Sequence, residues 1–475
     1  MALATLLALL VPALLAGTAS ANSTQYTMVE APNELLYSGS PDATLDQIKS
    51  LGADGIRIQM PWSQIAPSPT ATRAPSFNAT DPNAYPAGSW DRFDNAINGA
   101  RARGLKVQVT LTGPAPAWAT PKHDGLTRPD PTAFGKFATA VGRRYGSKVA
   151  VWSVWNEPNL GKLLKPLYSG KTLESAAVYR NLYLKAYTGL RNAGVRAPIL
   201  IGELAPQYNP NRSVGTIAPL NFMRAVLCLD KSYRRVKGTS CAKVPTQGFA
   251  IHPYSTQPGP FYIPLIDRDN VTIGVLSWLT TALDKAARAG AIPAKLPVYI
   301  TEFGVQSFPD RKVGVPLPVQ SDYRSIAERI AYENPRVKSF SQYLLHDDAP
   351  TGSYSAFESG LFPHIGDTPK PAFYGFRLPL VVVPVRGSRT RATLWGLVRP
   401  AKGAGSVSLQ YSDTNGSSWK TLGSQRFSAS GYWRRSVTTK PGRQWRVTWK
   451  ASDGTAYQGS ATHEWTRQWV PGQKL

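Results

Sequence analysis

The 475 residues carry 54 lysines and arginines against 29 aspartates and glutamates, a formal net charge of +25. A hydrophobic share of 42% with 17% charged residues excludes a disordered chain, and the length exceeds that of one ordinary domain. The positive excess fits acidic surroundings such as anionic wall polymers, uronic-acid polysaccharides or nucleic acid, or an arginine-rich composition with no specific partner.

The chain opens on "MALATLLALLVPALLAGTASANST", a short apolar run with no Lys or Arg before it. Ala19-Ser20-Ala21 fits a small-x-small cleavage site, so residues 1–21 read as a signal peptide and the remainder as secreted. Pro12 and Gly17 interrupt the run, which argues against a membrane anchor, and no second run of spanning length follows. Cys228 and Cys241 are the only cysteines and lie thirteen positions apart. In an oxidising compartment the pair is expected to form one disulfide that staples a loop. With no adjacent histidine it gives no metal signature.

From Gln25 to about Leu380, short β-like runs alternate with helical patterns. The strand candidates are Tyr26–Ala31, Gly55–Met60, Leu105–Thr112, Val149–Asn156, Pro198–Glu203, Gly248–Tyr254, Pro297–Phe303 and Val337–Leu345. Helical periodicity appears over Trp90–Arg103, Thr132–Tyr145, Ser175–Arg191, Val271–Ala289 and Ser321–Asn334. Eight strands alternating with helices predict an α/β fold, a (β/α)8 TIM barrel over residues 22–380. The competitor, an open doubly wound sheet, usually shows a glycine-rich phosphate turn after an early strand, and none is present.

The stretch "VAVWSVWNEPNL", Val149–Leu160, ends an apolar, tryptophan-rich strand on Asn156-Glu157-Pro158. A solvated strand end is the ordinary reading. In a barrel, however, chemistry sits at the C-terminal ends of strands. Glu157 ends the fourth strand and Glu302 lies near the end of the seventh, so the two carboxylates are expected to face each other across the axis. Hydrolysis of a glycosidic bond needs such a pair: one acid protonates the leaving oxygen, and the other attacks the anomeric carbon or activates water.

"WNEP" after strand four and "ITEFG" at strand seven resemble glycoside hydrolase clan A, which includes families 5 and 39. "GFAIHPYS" on strand six, "ESGLF" after strand eight and "DTPKPAFYGF" at the start of the final helix fit the same pattern, and the resemblance covers residues 25–380. It implies that Glu157 is the general acid/base and Glu302 the nucleophile of a retaining enzyme. It implies further that Asn156 bonds the sugar 2-hydroxyl, that Tyr254 donates to Glu302, and that His252 contacts the sugar or the acid/base network. Arg57, on strand two, would support the nucleophile or form an ordinary barrel ion pair. No cofactor and no metal are called for.

Other residues carry open readings. Trp118, in "GPAPAWAT", is either a platform for the apolar face of a pyranose or loop packing against Pro114 and Pro116. His123 on that loop reads as a surface histidine. Glu30 and Glu203 end strands one and five, where a structural role is favoured over sugar binding. His346, Asp347 and Asp348 end strand eight where related enzymes commonly carry a Trp platform, which leaves the substrate class open. No second His-carboxylate cluster joins them, so a metal site is not favoured.

Residues 381–390, within "LPLVVVPVRGSRT", read as a linker, and residues 391–475 as a small all-β sandwich. The sandwich holds seven of the thirteen tryptophans, so a Trp-filled core is expected. The region resembles fibronectin type III or immunoglobulin-like modules. It is expected to act as a spacer or to tether the protein to an anionic cell-wall polymer, with direct carbohydrate binding as the other possibility. The function expected is a secreted retaining glycosidase acting on a β-linked carbohydrate. The alternative is a non-catalytic glycan- or wall-binding protein on a retired barrel, although both carboxylates are retained. A nucleic-acid partner is not expected, because no binding motif accompanies the charge.

Overall fold

A computed structural model describes residues 24–211, 214–238, 241–255, 259–349 and 356–464. The proposed signal peptide, Trp465 and Trp469 lie outside the described residues. Eight parallel strands close into a barrel: β1 (Tyr26–Glu30), β2 (Gly55–Pro61), β3 (Lys106–Thr112), β4 (Val151–Val154), β5 (Ile199–Leu204), β6 (Gly248–Ile251), β7 (Val298–Ile300) and β8 (Val337–Tyr343). They pair in sequence order, and β8 closes against β1 with Tyr26 opposite Ser339 and Glu30 opposite Tyr343. All eight expected strands are present.

Alternation along the strands explains how a polar site coexists with an apolar shell. On β2, Ile56, Ile58 and Met60 join the main hydrophobic core, while Arg57 and Gln59 point the other way, into the barrel. On β3, Val107, Val109 and Leu111 join that core, and Gln108 and Thr110 turn inward. A separate cluster of Val151, Leu200, Ala250 and Tyr299, with Tyr26 against it, draws on five strands and fills the lower barrel.

The helices that cover the strands are α1 (Pro32–Leu36), α2 (Asp42–Ser50), α3 (Asp91–Ala102), α4 (Pro131–Tyr145), α5 (Glu174–Asn192), α6 (Pro219–Val226), α7 (Leu276–Arg288), α8 (Leu317–Glu333) and α9 (Pro371–Arg377). In α4, Asp130 caps the Thr132 and Ala133 amides, Pro131 opens the first turn, and Arg143 and Arg144 close the last. Cys228 and Cys241 are joined, with Cα atoms 6.2 Å apart. Among the described residues, no helix is long and apolar enough to cross a membrane.

The C-terminal region is all β, in two antiparallel sheets. One sheet holds β9 (Leu380–Pro384), β10 (Arg391–Leu397) and β13 (Tyr432–Thr438). The other holds β11 (Gly405–Ser412), β12 (Lys420–Phe427), β14 (Gln444–Lys450) and β15 (Ala456–Gln458). Trp433 and Trp445 are buried in the core that the sheets share. The expected linker over 381–390 is corrected here. The β-branched run Val381-Val382-Val383 pairs with Trp395, Leu394 and Thr393, in that order, as a true strand, so the all-β region begins at Leu380.

The region is fastened to the barrel. Ile326 of α8 packs with Val381 and Trp395, and Tyr332 stacks on Tyr432 at 3.8 Å. Buried Arg399 reaches Glu328 of α8, Thr27 of β1 and, at 2.8 Å, the Phe376 carbonyl. Gly52 lies against the Arg399 backbone, where a Cβ would stand 2.4 Å from its carbonyl oxygen.

Candidate active site

The C-terminal ends of β1, β2, β4, β5, β6 and β7 bring polar groups to one place. Arg57 is 2% exposed, and every N–H of its guanidinium is used. Nε donates to Thr110 Oγ1 at 3.1 Å. Nη1 donates to both oxygens of Glu30 at 2.8 Å and to Glu302 Oε1 at 2.7 Å. Nη2 donates to Glu203 Oε2 at 2.8 Å and to Asn156 Oδ1 at 3.0 Å. One cation therefore serves three buried carboxylates, Glu302 among them.

Glu302 also accepts from the Tyr254 hydroxyl at 3.2 Å and from Gln59 Nε2 at 3.3 Å. His252 is fully buried, with Nδ1 3.0 Å from Glu157 Oε1 and 3.4 Å from Glu302 Oε2. Glu157, Glu302 and His252 each offer one ligand-type atom, and these atoms lie within 4.8 Å of one another. The Glu157 side chain is 16% exposed and that of Glu302 7%, so the pair borders the barrel mouth. The backbone is bent to present them: Trp155 and Glu157 have φ of +63° and +43°, a region that side chains other than glycine rarely adopt.

The surroundings push the two carboxyls apart. Burial raises Glu157 above the ordinary glutamate value, against the opposing pull of the His252 hydrogen bond and charge. Burial would raise Glu302 too. There the charges of His252 and Arg57, with hydrogen bonds from Arg57 and Tyr254, outweigh it and hold the group below the ordinary value. His252 is raised, because the charges of Glu302 and Glu157 overcome a burial that alone would lower it. Such a pair supplies a proton donor and an anion side by side.

Among the described residues, Glu157, Glu302 and His252 are also a group that could hold a metal ion. A cation there would compete with the Arg57 guanidinium, which already stands 2.7 Å from Glu302. The strand-eight residues are placed elsewhere. His346 pairs with Glu34 at 3.0 Å, Asp347 takes Lys370 at 2.9 Å, and Asp348 accepts from the Phe357 amide at 3.2 Å.

Of the sequence candidates, Asn156, Glu157, His252, Tyr254, Glu302 and Arg57 are brought together. Trp118 is not part of this network. Its indole N–H donates to the Pro67 carbonyl at 3.1 Å, and its ring meets Trp62 edge-on at 5.5 Å, which is loop packing. His123 is exposed, as expected. Gln59 and Tyr343 were missed. Gln59 shares the inward face of β2 with Arg57, so the period-two pattern was its signal. Tyr343 ends β8, its ring 5.0 Å from that of Phe357; burial and the charges of Glu302 and Glu30 push its hydroxyl well up.

Among curated proteins none matches this sequence. Solved structures similar to it include Bacteroides uniformis beta-glucuronidase 2, at 10% identity and a TM-score of 0.47, covering 92% of this chain and 46% of that one. The chain thus spans less than half of that structure's own length. A hyperthermophilic beta-glucosidase from Pyrococcus furiosus gives 14% identity and a TM-score of 0.48, with 74% of this chain and 94% of that one covered. A family 1 beta-glucosidase from Thermotoga maritima gives 15% and 0.47, with 72% and 92% covered. The profile of the cellulase family, glycosyl hydrolase family 5, matches residues 18–326, a stretch that contains both Glu157 and Glu302. That match takes in well over half of the chain, and the protein belongs to glycosyl hydrolase family 5.

Proposed function

We propose that this chain is a retaining β-glycosidase that cleaves O-glycosidic bonds of a β-linked polysaccharide or oligosaccharide by double displacement. The observation that carries the reading is the approach of Glu157 and Glu302, whose nearest oxygens lie within 4.8 Å. Retaining enzymes hold their carboxyls about 5–5.5 Å apart, and inverting ones leave about 6.5–9.5 Å for a water. Glu302 attacks the anomeric carbon while Glu157 gives its proton to the departing oxygen, and the glycosidic C–O bond breaks. Glu157 then takes a proton from water, whose oxygen bonds the anomeric carbon and frees Glu302. Asn156 bonds the sugar 2-hydroxyl, a role supported by the Arg57 guanidinium that holds both it and Glu302.

The reading extends to export and to the C-terminal region. The apolar, small-residue N-terminus and the Cys228–Cys241 disulfide favour secretion. The two-sheet region is read as a fibronectin- or immunoglobulin-like module. Of its described tryptophans Trp395, Trp433 and Trp445 are buried and Trp419 and Trp449 half-buried, so most pack inward, which favours a spacer or tether over a sugar-binding row. Exposed Arg386, Arg389, Lys402, Lys420 and Arg426 favour salt-sensitive retention on an anionic wall polymer.

The test is mechanism-based labelling with a panel of 2,4-dinitrophenyl 2-deoxy-2-fluoro-β-D-glycosides, beginning with the glucoside because the matching family is named for cellulase. Intact mass and peptide mapping are expected to find one sugar on Glu302, and Glu302→Ala and Glu157→Ala to lose hydrolysis. Glycan binding with no label and no turnover on any probe would instead favour a binding protein on a retired barrel.

A further inference from the structure

Glu203 faces the site because β5 breaks its own alternation. Leu200 belongs to the cluster inside the barrel and Ile201 to the core outside it, so regular pleating would send Glu203 outward with Ile201. The pairing of β5 with β6 instead shifts register between Gly202 and Leu204. Gly202 and Glu203 take φ of +120° and +52°. Only glycine fits at 202, where a Cβ would stand 2.3 Å from the Ala250 carbonyl oxygen. A left-handed residue other than glycine persists where its surroundings over-determine it, and bulges re-aim side chains beside active sites.

Two links run from Glu203 to the reacting pair. Its carbonyl oxygen accepts the Glu157 amide at 3.0 Å. Its Oε2 accepts from Arg57, whose other donors hold Glu302 and Asn156. Oε1 is pinned by Ser153 Oγ at 2.7 Å, Thr110 Oγ1 at 3.1 Å and Gln108 Nε2 at 3.4 Å. The side chain is fully buried. We propose that Glu203 is a positioning residue that sets the spacing of the two carboxylates, holding Glu157 through its backbone and Glu302 through Arg57. This rests on the retaining-glycosidase reading above.

The test compares Glu203→Gln with wild type in labelling by the 2-deoxy-2-fluoro glycoside that reacts with wild type. A reacting pair displaced by a fraction of an ångström is expected to label about 10- to 100-fold more slowly. The loss falls in the rate constant at saturation and not in the apparent binding constant of the probe. Glu328→Gln, at the junction with the C-terminal region, is the control for stability: it is expected to unfold more easily yet label within about twofold of wild type. Should Glu203→Gln fail to fold, Ser153→Ala carries the test, with labelling slowed about threefold or more. A folded Glu203→Gln, or in its place Ser153→Ala, that labels at the wild-type rate overturns the proposal alone. A wild type that neither labels nor hydrolyses any glycoside overturns the glycosidase reading and this proposal with it.

Discussion

His252 Nδ1 lies 3.0 Å from Glu157 Oε1, and the same nitrogen lies 3.4 Å from Glu302 Oε2, so one buried imidazole faces both carboxylates. Against burial, which raises each carboxyl, the hydrogen bond and charge of His252 lead in holding Glu157 down, and its charge acts with Arg57 to hold Glu302 down. Removing it as His252→Gln therefore lets both rise. On the proposed mechanism, the acid limb of kcat/KM follows Glu302 losing its proton, and the basic limb follows Glu157 keeping its own. Both limbs are expected to move to higher pH together, with a fall of about 10- to 100-fold at the optimum. A pH profile of kcat/KM on an aryl β-glycoside measures this; limbs that stay in place would count against the assignment.

Tyr254→Phe should separate the limbs. The Tyr254 hydroxyl donates to Glu302 at 3.2 Å and is one of the groups that lower Glu302. A hydrogen bond to a charged group contributes about 1.5–3 kcal/mol, so kcat/KM is expected to fall about 10- to 100-fold. The acid limb should move up while the basic limb, which follows Glu157, stays. The same pH profile checks it, and a basic limb that moves as far would show the hydroxyl acting elsewhere.

The barrel was legible because its strands are buried on the helix side: Val107, Val109 and Leu111, or Ile56, Ile58 and Met60, stand out against any surface strand. That Glu157 and Glu302 would meet was legible because they end strands inside short motifs. Glu203 was not, since its inward direction depends on a bulge between Gly202 and Leu204 that no periodicity announces. The short helices α1, α6 and α9, each of eight residues or fewer, give too few turns for a helical period. The run at Val381 looked like a connector because it follows a proline and precedes Gly387 and Ser388; its partner strand, β10, decides that it is a strand.

Trp118 is expected to matter for stability and not for the sugar. Its ring packs edge-on against buried Trp62, which itself stacks on Phe137 at 5.9 Å. Trp118→Ala should lower stability by about 1–3 kcal/mol, less than a fully buried tryptophan because the residue is half-buried. Urea unfolding reads that loss, and steady-state kinetics should give KM within about threefold of wild type. A large rise in KM with stability intact would restore the platform reading.

Arg399 and Glu328 join the two regions of the chain, and Arg324 pairs with Glu328 at 2.7 Å from the other side. Burial alone would raise the Glu328 carboxyl, but the charges of Arg399 and Arg324 hold it below its ordinary value of 4.5. The folded form thus keeps Glu328 ionised to lower pH than the unfolded form does. The stability this supplies is full above pH 4.5 and is lost as pH falls through the lower folded value. Glu328→Gln leaves two arginines facing a neutral amide, and a buried pair broken from one side costs about 3–5 kcal/mol. Urea unfolding at neutral pH should show that gap, and the gap should narrow as the buffer is acidified below 4.5. Because Arg399 also holds Thr27 of β1 and the Phe376 carbonyl, barrel and C-terminal sheets are expected to unfold in one transition in wild type. Two resolved transitions in wild type would mean that the junction couples the regions far less than its buried charges imply.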